Sequence, residues 1–311
     1  MTEKHTESYE VVVVGGGAAG LSAALVLGRA RRRTLVVDAG EPRNAPAAHM
    51  QGYLSRDGMS PGEFLAVGRE EIARYGVELV RDRAVDVTRD GDFTVALASG
   101  RSVRARRLVV ATGLKDELPD VPGVAERFGN DVLHCPYCHG WEVRDRAFGV
   151  LATTPLSVHQ ALMVSQWSKD VTFFLHEVAE SDLSDDDLRR LAAAGVKVVP
   201  GAVAELVIED DRLTGVRLAD GTVHAREVVF TAPHAVPRTG LLEKLGAEFQ
   251  ETPFGSYPVV DPTGLTSVPG VWAAGNAMGY AEQVINAASG GYRAGAFING
   301  ELLMTDLDAP L

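Results

Sequence analysis

The residues best equipped for covalent chemistry are Cys135 and Cys138. They are the only two cysteines in 311 residues. They lie in His134-Cys135-Pro136-Tyr137-Cys138-His139-Gly140-Trp141. Two cysteines cannot staple a secreted scaffold, and a CxxC spacing points to redox exchange or to a metal. A tetrahedral zinc site needs four ligands. His134 and His139 could complete one, but all four would fall within six residues, which is awkward geometry. In a redox pair the thiolate is the nucleophile. An imidazole titrates near neutrality, so His139 or His134 could take the proton of an incoming thiol. Tyr137 and Trp141 could form an aromatic wall, although aromatics beside a motif more often serve packing.

A second chemical feature lies near the N-terminus. Gly15-x-Gly17-x-x-Gly20 follows the β-branched run Val11 to Val14 and opens a small-residue helix. Asp38 closes the next apolar run, 18 positions after Gly20. Gly15 allows the tight turn and Gly17 admits a pyrophosphate to the backbone at the helix N-terminus. Gly20 permits close packing of helix on strand, and Asp38 can accept from a ribose. Strand, turn, helix and acidic residue agree, which makes this a dinucleotide site rather than a lone glycine-rich turn.

The elements that must position these residues are legible as a repeated pattern. Val11 to Val14, the helix after Gly17 and Thr34 to Val37 make a βαβ unit. Ser60-Pro61-Gly62-Glu63 reads as a capped helix start with a capping box, the helix running to about Tyr75. Val77 to Val80 is a strand, Ala84 to Arg107 a β-meander with turns at Asp90-Gly91 and Ser99-Gly100, and Leu108 to Ala111 a further buried strand. A Pro-rich connection, Leu118 to Gly123, precedes the cysteine segment. The pattern then restarts: strand Phe148 to Ala152, helix Pro155 to Trp167, strand Val171 to Leu175, a helix capped by Ser184, strand Val196 to Val199 and a second meander from Val203 to Phe230. The chain thus reads as two copies of one architecture. From about Gly240 a third part leads to Gly270-Val271-Trp272-Ala273-Ala274-Gly275-Asn276 and a small-residue helix, Gln283 to Gly300, expected to dock back on the first domain.

Composition bounds the function. Lys plus Arg number 30 against 42 Asp plus Glu, a formal charge of −12, which disfavours nucleic acid and anionic membrane as partners. The chain is 46% hydrophobic and 23% charged, a globular balance. Residues 11–28 carry no charge and precede several arginines, but three glycines after a valine run fit strand-turn-helix better than a membrane span. The polar N-terminal segment MTEKHTESYE has no apolar core for a signal peptide, so a cytoplasmic location is expected.

Leu108 to Gly113 and Gly270 to Asn276, together with the N-terminal fingerprint, resemble the flavoprotein disulfide reductases, and the chain length and order of parts resemble their short, thioredoxin-reductase-like branch. The resemblance covers nearly the whole chain. It implies an α/β fold of two Rossmann-like domains of the three-layer ββα kind. FAD would be held by a discontinuous domain, 1–115 plus 239–311, interrupted by an inserted domain, 116–238, carrying the CxxC. It implies FAD contacts at Gly15, Gly17, Ala18, Ala19, Gly20, Asp38, Ala39, Asn44, Val85, Ala111, Thr112, Gly113, Gly275, Asn276, Gln283 and Val284. Asn276 stands where the family usually has Asp, and Glu282 where it usually has a basic residue. The resemblance further implies that Cys138 faces the flavin, that Cys135 exchanges with substrate, and that the protein is a homodimer. Cys-Pro-Tyr-Cys also occurs in glutaredoxins, whose small-domain layout is absent here.

The inserted domain departs from that branch where NADPH should bind. Its turn reads Ala152-Thr153-Thr154-Pro155-Leu156-Ser157, without glycine, and Leu175-His176-Glu177 stands where a basic motif would meet the 2′-phosphate. Two elements of one site are altered together. A flavin and a redox disulfide without a nicotinamide site resemble the FAD-dependent dithiol oxidases of the gliotoxin and holomycin type. These keep a CxxC followed by His. The resemblance implies a small-molecule dithiol as substrate and O₂ as acceptor. The rival readings are a reductase fed by NADPH, a reductase fed by ferredoxin on the face of Arg101, Arg104, Arg106 and Arg107, and a flavin-binding redox sensor without turnover.

Overall fold

The computed structural model describes residues 7–308; the first six residues of the polar N-terminal segment and the last three lie outside the described residues. In chain order the elements begin with β1 (Glu7–Val14), α1 (Ala18–Arg29), β2 (Thr34–Asp38), α2 (Pro61–Ala73), β3 (Glu78–Arg81), β4 (Ala84–Asp90), β5 (Asp92–Leu97), β6 (Ser102–Val110) and β7 (Leu114–Glu117). Then come α3 (Val124–Arg127), β8 (Val132–Leu133), α4 (Pro136–His139), β9 (Phe148–Leu151), α5 (Ser157–Val164), β10 (Val171–Phe174), α6 (Asp185–Ala193) and β11 (Lys197–Val199). They are followed by β12 (Val203–Glu209), β13 (Arg212–Leu218), β14 (Val223–Ala225), β15 (Val228–Thr231) and β16 (His234–Pro237). The last are α7 (Gly240–Lys244), β17 (Phe249–Thr252), β18 (Gly255–Pro258), β19 (Val271–Ala273) and α8 (Val284–Asp308). The chain divides into two compact units, 1–45 with 60–115 and 235–311, and 46–59 with 116–234.

The first unit is built on a seven-stranded sheet ordered β3-β2-β1-β6-β5-β4, with β19 also on β6. β1 pairs in parallel with β2 and β6 and is buried on both faces, which is why its valines run without polar interruption. Val12 and Val14 join one core with Phe93 and Leu97, whereas Val11 and Val13 join another with Leu21, Ala24 and Ile298. The expected separate strand at Leu108 is not separate. β6 runs unbroken from the meander into the core, pairing β5 at Ala105–Phe93 and β19 at Leu108–Val271. No turn residue falls between Arg104 and Leu108, so nothing stops the strand.

The stretch 11–28 is strand, turn and helix, and no described helix is long and apolar enough to cross a membrane. Ser60 caps α2 by accepting from the Glu63 amide at 3.1 Å, but only this half of the expected capping box forms. α8 extends eight residues past Gly300. Its small residues let it lie against α1: a β-carbon at Gly291 would run into the Ala19 carbonyl, and one at Gly295 into Ala23. Its last turns are held by Asp306 to Arg32 and Arg106, at 2.7 and 2.6 Å. Those contacts lie far apart in sequence, so periodicity alone ended the helix too early.

The second unit repeats the parallel architecture in a five-stranded sheet, β11-β10-β9-β15-β8. Its second meander, β12-β13-β14, stands as its own antiparallel sheet, unlike the first. The β12–β13 turn puts both Asp210 and Asp211 at positive φ, 50° and 57°. Aspartate tolerates this region because its side chain bonds locally; here the Arg127 guanidinium also grips Asp211 at 2.5 Å. α5 is shorter than expected at both ends. Pro155 and Leu156 belong to the turn before it, for a reason that lies in the site.

Candidate redox and dinucleotide sites

The redox site starts from β8. Its two residues pair with β15, Leu133 opposite Phe230, so His134 emerges beside Thr231. Cys135 then ends the extended run, and Pro136 starts α4, a position where its missing N–H costs nothing. The Cys138 amide returns to the Cys135 carbonyl at 3.1 Å, and the two sulfurs are joined in a disulfide with the α-carbons 5.2 Å apart.

Both candidate imidazoles flank this pair, in different settings. His134 Nδ1 lies 3.2 Å from the Thr231 carbonyl. A carbonyl only accepts, so Nδ1 is the donor in this contact. The backbone carbonyl of His134 accepts from Gln160 Nε2 at 2.7 Å. His139 is half-buried, and desolvation lowers its pKa below the usual 6.5 despite the pull of Glu142. Tyr137 is exposed and meets Trp167 edge-on, with ring centroids 5.8 Å apart. Trp141 is also exposed and carries the Arg144 guanidinium 4.0 Å over its ring.

In the same unit, the turn after β9 is closed from within. Ser157 Oγ, fully buried, accepts from the amides of Thr153 at 3.2 Å and Thr154 at 3.4 Å. Thr153 Oγ1 donates to the Ala232 carbonyl at 3.1 Å. Two amides of this turn are therefore engaged by the protein's own serine. At the end of β10, His176 stands at φ 50° and its Nδ1 accepts from the Val203 amide at 3.0 Å. The Glu177 carboxylate lies 3.7 Å from His176 Nε2.

The glycine-framed turn of the first unit is the opposite case. Gly15 takes φ 111° against the Ala111 carbonyl, and a β-carbon on Gly20 would run into the Gly15 carbonyl. Gly17 faces open space, with no side-chain cap and no acidic residue in the first turn of α1. The first intrahelical bond runs from Leu21 N to Gly17 O, which leaves the preceding amides of Ala18, Ala19 and Gly20 without helical partners. Asp38 Oδ1 accepts from Gly16 and Gly40 amides at 3.2 Å each, and its other oxygen pairs with Arg81.

The other expected cofactor residues of this unit fall on its edges and loops. Ala39 follows β2, Asn44 lies in a turn, and Val85 sits at an irregular register of β4, its carbonyl accepting from Lys244 at 3.3 Å. Ala111 follows β6, and the Thr112 hydroxyl and the Gly113 carbonyl both bond the Arg238 backbone, at 2.6 and 2.9 Å. Gly275, at φ 64°, packs by Ala19 and Ala287. Asn276 Nδ2 donates to both Gly279 and Tyr280 carbonyls at 3.0 Å, which leaves Oδ1 as its acceptor. Gln283 and Val284 open α8.

A helix start stripped of caps and acids fits the pyrophosphate of FAD, and a CxxC disulfide fits thiol exchange. Fold and chemistry together define an FAD-dependent thiol/disulfide oxidoreductase. Residues 9–291 match the family model described as pyridine nucleotide-disulphide oxidoreductase, and the chain belongs to that family. It is 32% identical to thioredoxin reductase sirT of Leptosphaeria maculans, over 97% of this chain and 96% of that one. It is 32% identical to thioredoxin reductase tcpT of Claviceps purpurea, over 94% of each. Among solved structures it resembles HlmI, at 51% identity and a TM-score of 0.92 over 99% of this chain and 96% of that one. An oxidoreductase from Agrobacterium tumefaciens follows at 40% identity and a TM-score of 0.89 over 96% and 99%.

Sequence reasoning missed Gln160, Thr231 and Arg81. Gln160 carried a faint signal, a polar residue on the apolar face of α5, three positions after Ser157. Thr231 acts through its backbone, which no residue type announces.

Proposed function

We propose that this chain is a dithiol oxidase that closes an intramolecular disulfide in a small-molecule dithiol and passes the electrons to O₂, giving H₂O₂. The observation that carries this is the turn after β9, whose amides are spent on Ser157 Oγ. Glu177 adds a negative charge where a 2′-phosphate would need a cation. A nicotinamide dinucleotide has lost both its anchors, while the disulfide remains.

The chemistry of the residues follows. One substrate thiolate attacks Cys135 Sγ, and Cys138 leaves as the thiolate. The second substrate thiol attacks the substrate sulfur of the mixed disulfide and releases Cys135. Substrate has then lost two electrons and two protons, and the cysteine pair holds the electrons. His139 or His134 takes the proton of each attacking thiol: His139 is kept neutral by burial, and His134 presents Nε2 as the basic nitrogen. FAD, when bound, supplies the two-electron acceptor that reoxidises the pair and reduces O₂. We assign its pyrophosphate to the amides of Gly17, Ala18, Ala19 and Gly20, beside the turn made at Gly15, whose own amide donates to the Val37 carbonyl at 2.8 Å. Its adenosine half goes to Asp38, Ala39, Asn44 and Val85, and its flavin half to Ala111, Thr112, Gly113, Gly275, Asn276, Gln283 and Val284. The substrate class extends to natural-product dithiols of the holomycin kind, with a cytoplasmic homodimer as the working form.

The basic face offered to ferredoxin is already neutralised. Arg101 pairs with Glu7 at 2.5 Å, Arg104 with Asp92 at 3.6 Å, Arg106 with Asp306 at 2.6 Å and Arg107 with Glu301 at 2.9 Å. Anaerobic flavin bleaching tests the proposal. A small dithiol alone should bleach the flavin, with colour and peroxide returning on admission of air. Rapid bleaching by NADPH, or by reduced ferredoxin alone, would overturn it, and a lack of repeated turnover with excess dithiol would leave a sensor.

A further inference from the structure

The polar face of α5 does more than close a turn. Ser157 and Gln160 lie three residues apart on the same side of this helix, and both are buried. Ser157 Oγ satisfies the Thr153 and Thr154 amides, and Gln160 Nε2 donates to the His134 carbonyl at 2.7 Å. Gln160 is only 9% exposed, and its Oε1 has no hydrogen-bond partner among the described residues. A buried amide with one orphaned atom is retained against its own desolvation cost, and such a group calls for an explanation other than stability. The His134 carbonyl belongs to the peptide bond that leads into Cys135. The imidazole of the same residue donates from Nδ1 to Thr231 on β15. His134 is thus gripped at two points, backbone by α5 and ring by β15.

We propose that Gln160 is a positioning residue for the redox site: by holding the His134 carbonyl it sets the imidazole against Thr231 and so presents Nε2 as the proton acceptor next to Cys135. This rests on the dithiol-exchange reading of the cysteine pair. In a nucleotide-binding Rossmann unit the start of this helix faces a pyrophosphate; here its two buried polar side chains face the turn and the redox motif instead. Without the Gln160 bond, the His134 peptide can rotate, the ring leaves the Thr231 carbonyl, and both neutral tautomers become populated.

The test uses the FAD-loaded enzyme and two variants. Gln160→Met keeps the volume and removes the orphaned oxygen. Gln160→Asn keeps the amide but is one methylene too short to reach the carbonyl. Nitrogen-15 histidine spectra, with His134 assigned from a His134→Gln sample, read the tautomer directly. Anaerobic reduction by dithiothreitol reads the exchange rate. Wild type should show a single Nδ1–H tautomer. Both variants should show mixed tautomers and a second-order reduction rate lower by roughly 10- to 100-fold, the scale of a misplaced catalytic group, with thermal stability of Gln160→Met equal to wild type or higher. A wild-type tautomer and rate in either folded variant would overturn the proposal. If dithiothreitol fails to reduce even the wild type, the functional reading falls instead, and the tautomer comparison alone decides the role of Gln160.

Discussion

Ser157 Oγ accepts the amide hydrogen of Thr153 at 3.2 Å, across the turn where a dinucleotide would otherwise be held. A glycine turn leaves its amides pointing outward for a phosphate. This one turns them onto its own serine, and Pro155 fixes the loop that makes this reach possible. Ser157→Ala should therefore cost about 1 kcal/mol through two orphaned amides, visible as a lower melting temperature. It should not create a nicotinamide site, because the threonine side chains and Glu177 stay. Stopped-flow mixing with NADPH checks this, and fast flavin reduction in Ser157→Ala would show that the serine alone blocks the site.

The two glycines at the start of α1 should separate binding from folding. A β-carbon at Gly17 meets nothing within 4 Å, so Gly17→Ala should fold as wild type. If a pyrophosphate comes to the backbone there, the same variant should bind FAD at least ~10-fold more weakly, a loss of about 1.4 kcal/mol. Gly20→Ala drives a β-carbon into the Gly15 carbonyl and should cost about 1–3 kcal/mol of stability before any ligand is added. Melting of the FAD-free protein and titration with FAD tell the two apart.

Cys135→Ser and Cys138→Ser should both abolish dithiol turnover, since each leaves one sulfur and no disulfide to receive electrons. FAD content should be unchanged, because the residues assigned to FAD are in the other compact unit. Peroxide release on mixing with dithiol in air is the measurement. Persistent peroxide in Cys135→Ser would mean that the substrate meets another group.

Stability should fall on the acid side. Burial is the larger influence on both His139 and His176 and holds each imidazole below 6.5, with Glu142 and Glu177 opposing. The unfolded chain then binds these protons more readily than the native one, so their contribution is complete above pH 6.5 and is lost as pH drops through the lowered native values. Protonation of His176 at Nδ1 would also cancel its bond from the Val203 amide. Melting temperature should be level from about pH 7 to 8 and decline below about pH 6.5, and His176→Gln should flatten part of that decline. A flat profile in wild type would contradict the burial of these rings.

Most strands of the parallel sheets were legible in the sequence, because buried parallel strands must be apolar on both faces; the two-residue β8 was not. Val11 to Val14, Phe148 to Leu151 and Val171 to Phe174 announce themselves in that way. The turns of the first meander were legible too, since positive φ favours glycine, as at Gly91 and Gly100. Element ends were not. β6 passes through the expected break at Arg107 because β5 and β19 share it, and α8 continues because Arg32 and Arg106 reach its last turn. These partners are distant in the chain, so no local window contains them.

By itself the sequence determined which atoms can react and where the backbone must be glycine. Cys135 and Cys138 are the only thiols, and Gly15, Gly17 and Gly20 are spaced for a helix start that admits an anion. It also showed that the second turn lacks glycine. Only the tertiary structure decided what that loss means. Ser157 Oγ takes the amides of Thr153 and Thr154, Asn276 spends its amide on the Gly279 and Tyr280 carbonyls, and the Thr231 carbonyl accepts from Nδ1 of His134. Composition and spacing specify which groups can donate or accept a hydrogen bond. Which partner each one meets depends on backbone carbonyls and amides, which every residue carries alike and only folding places.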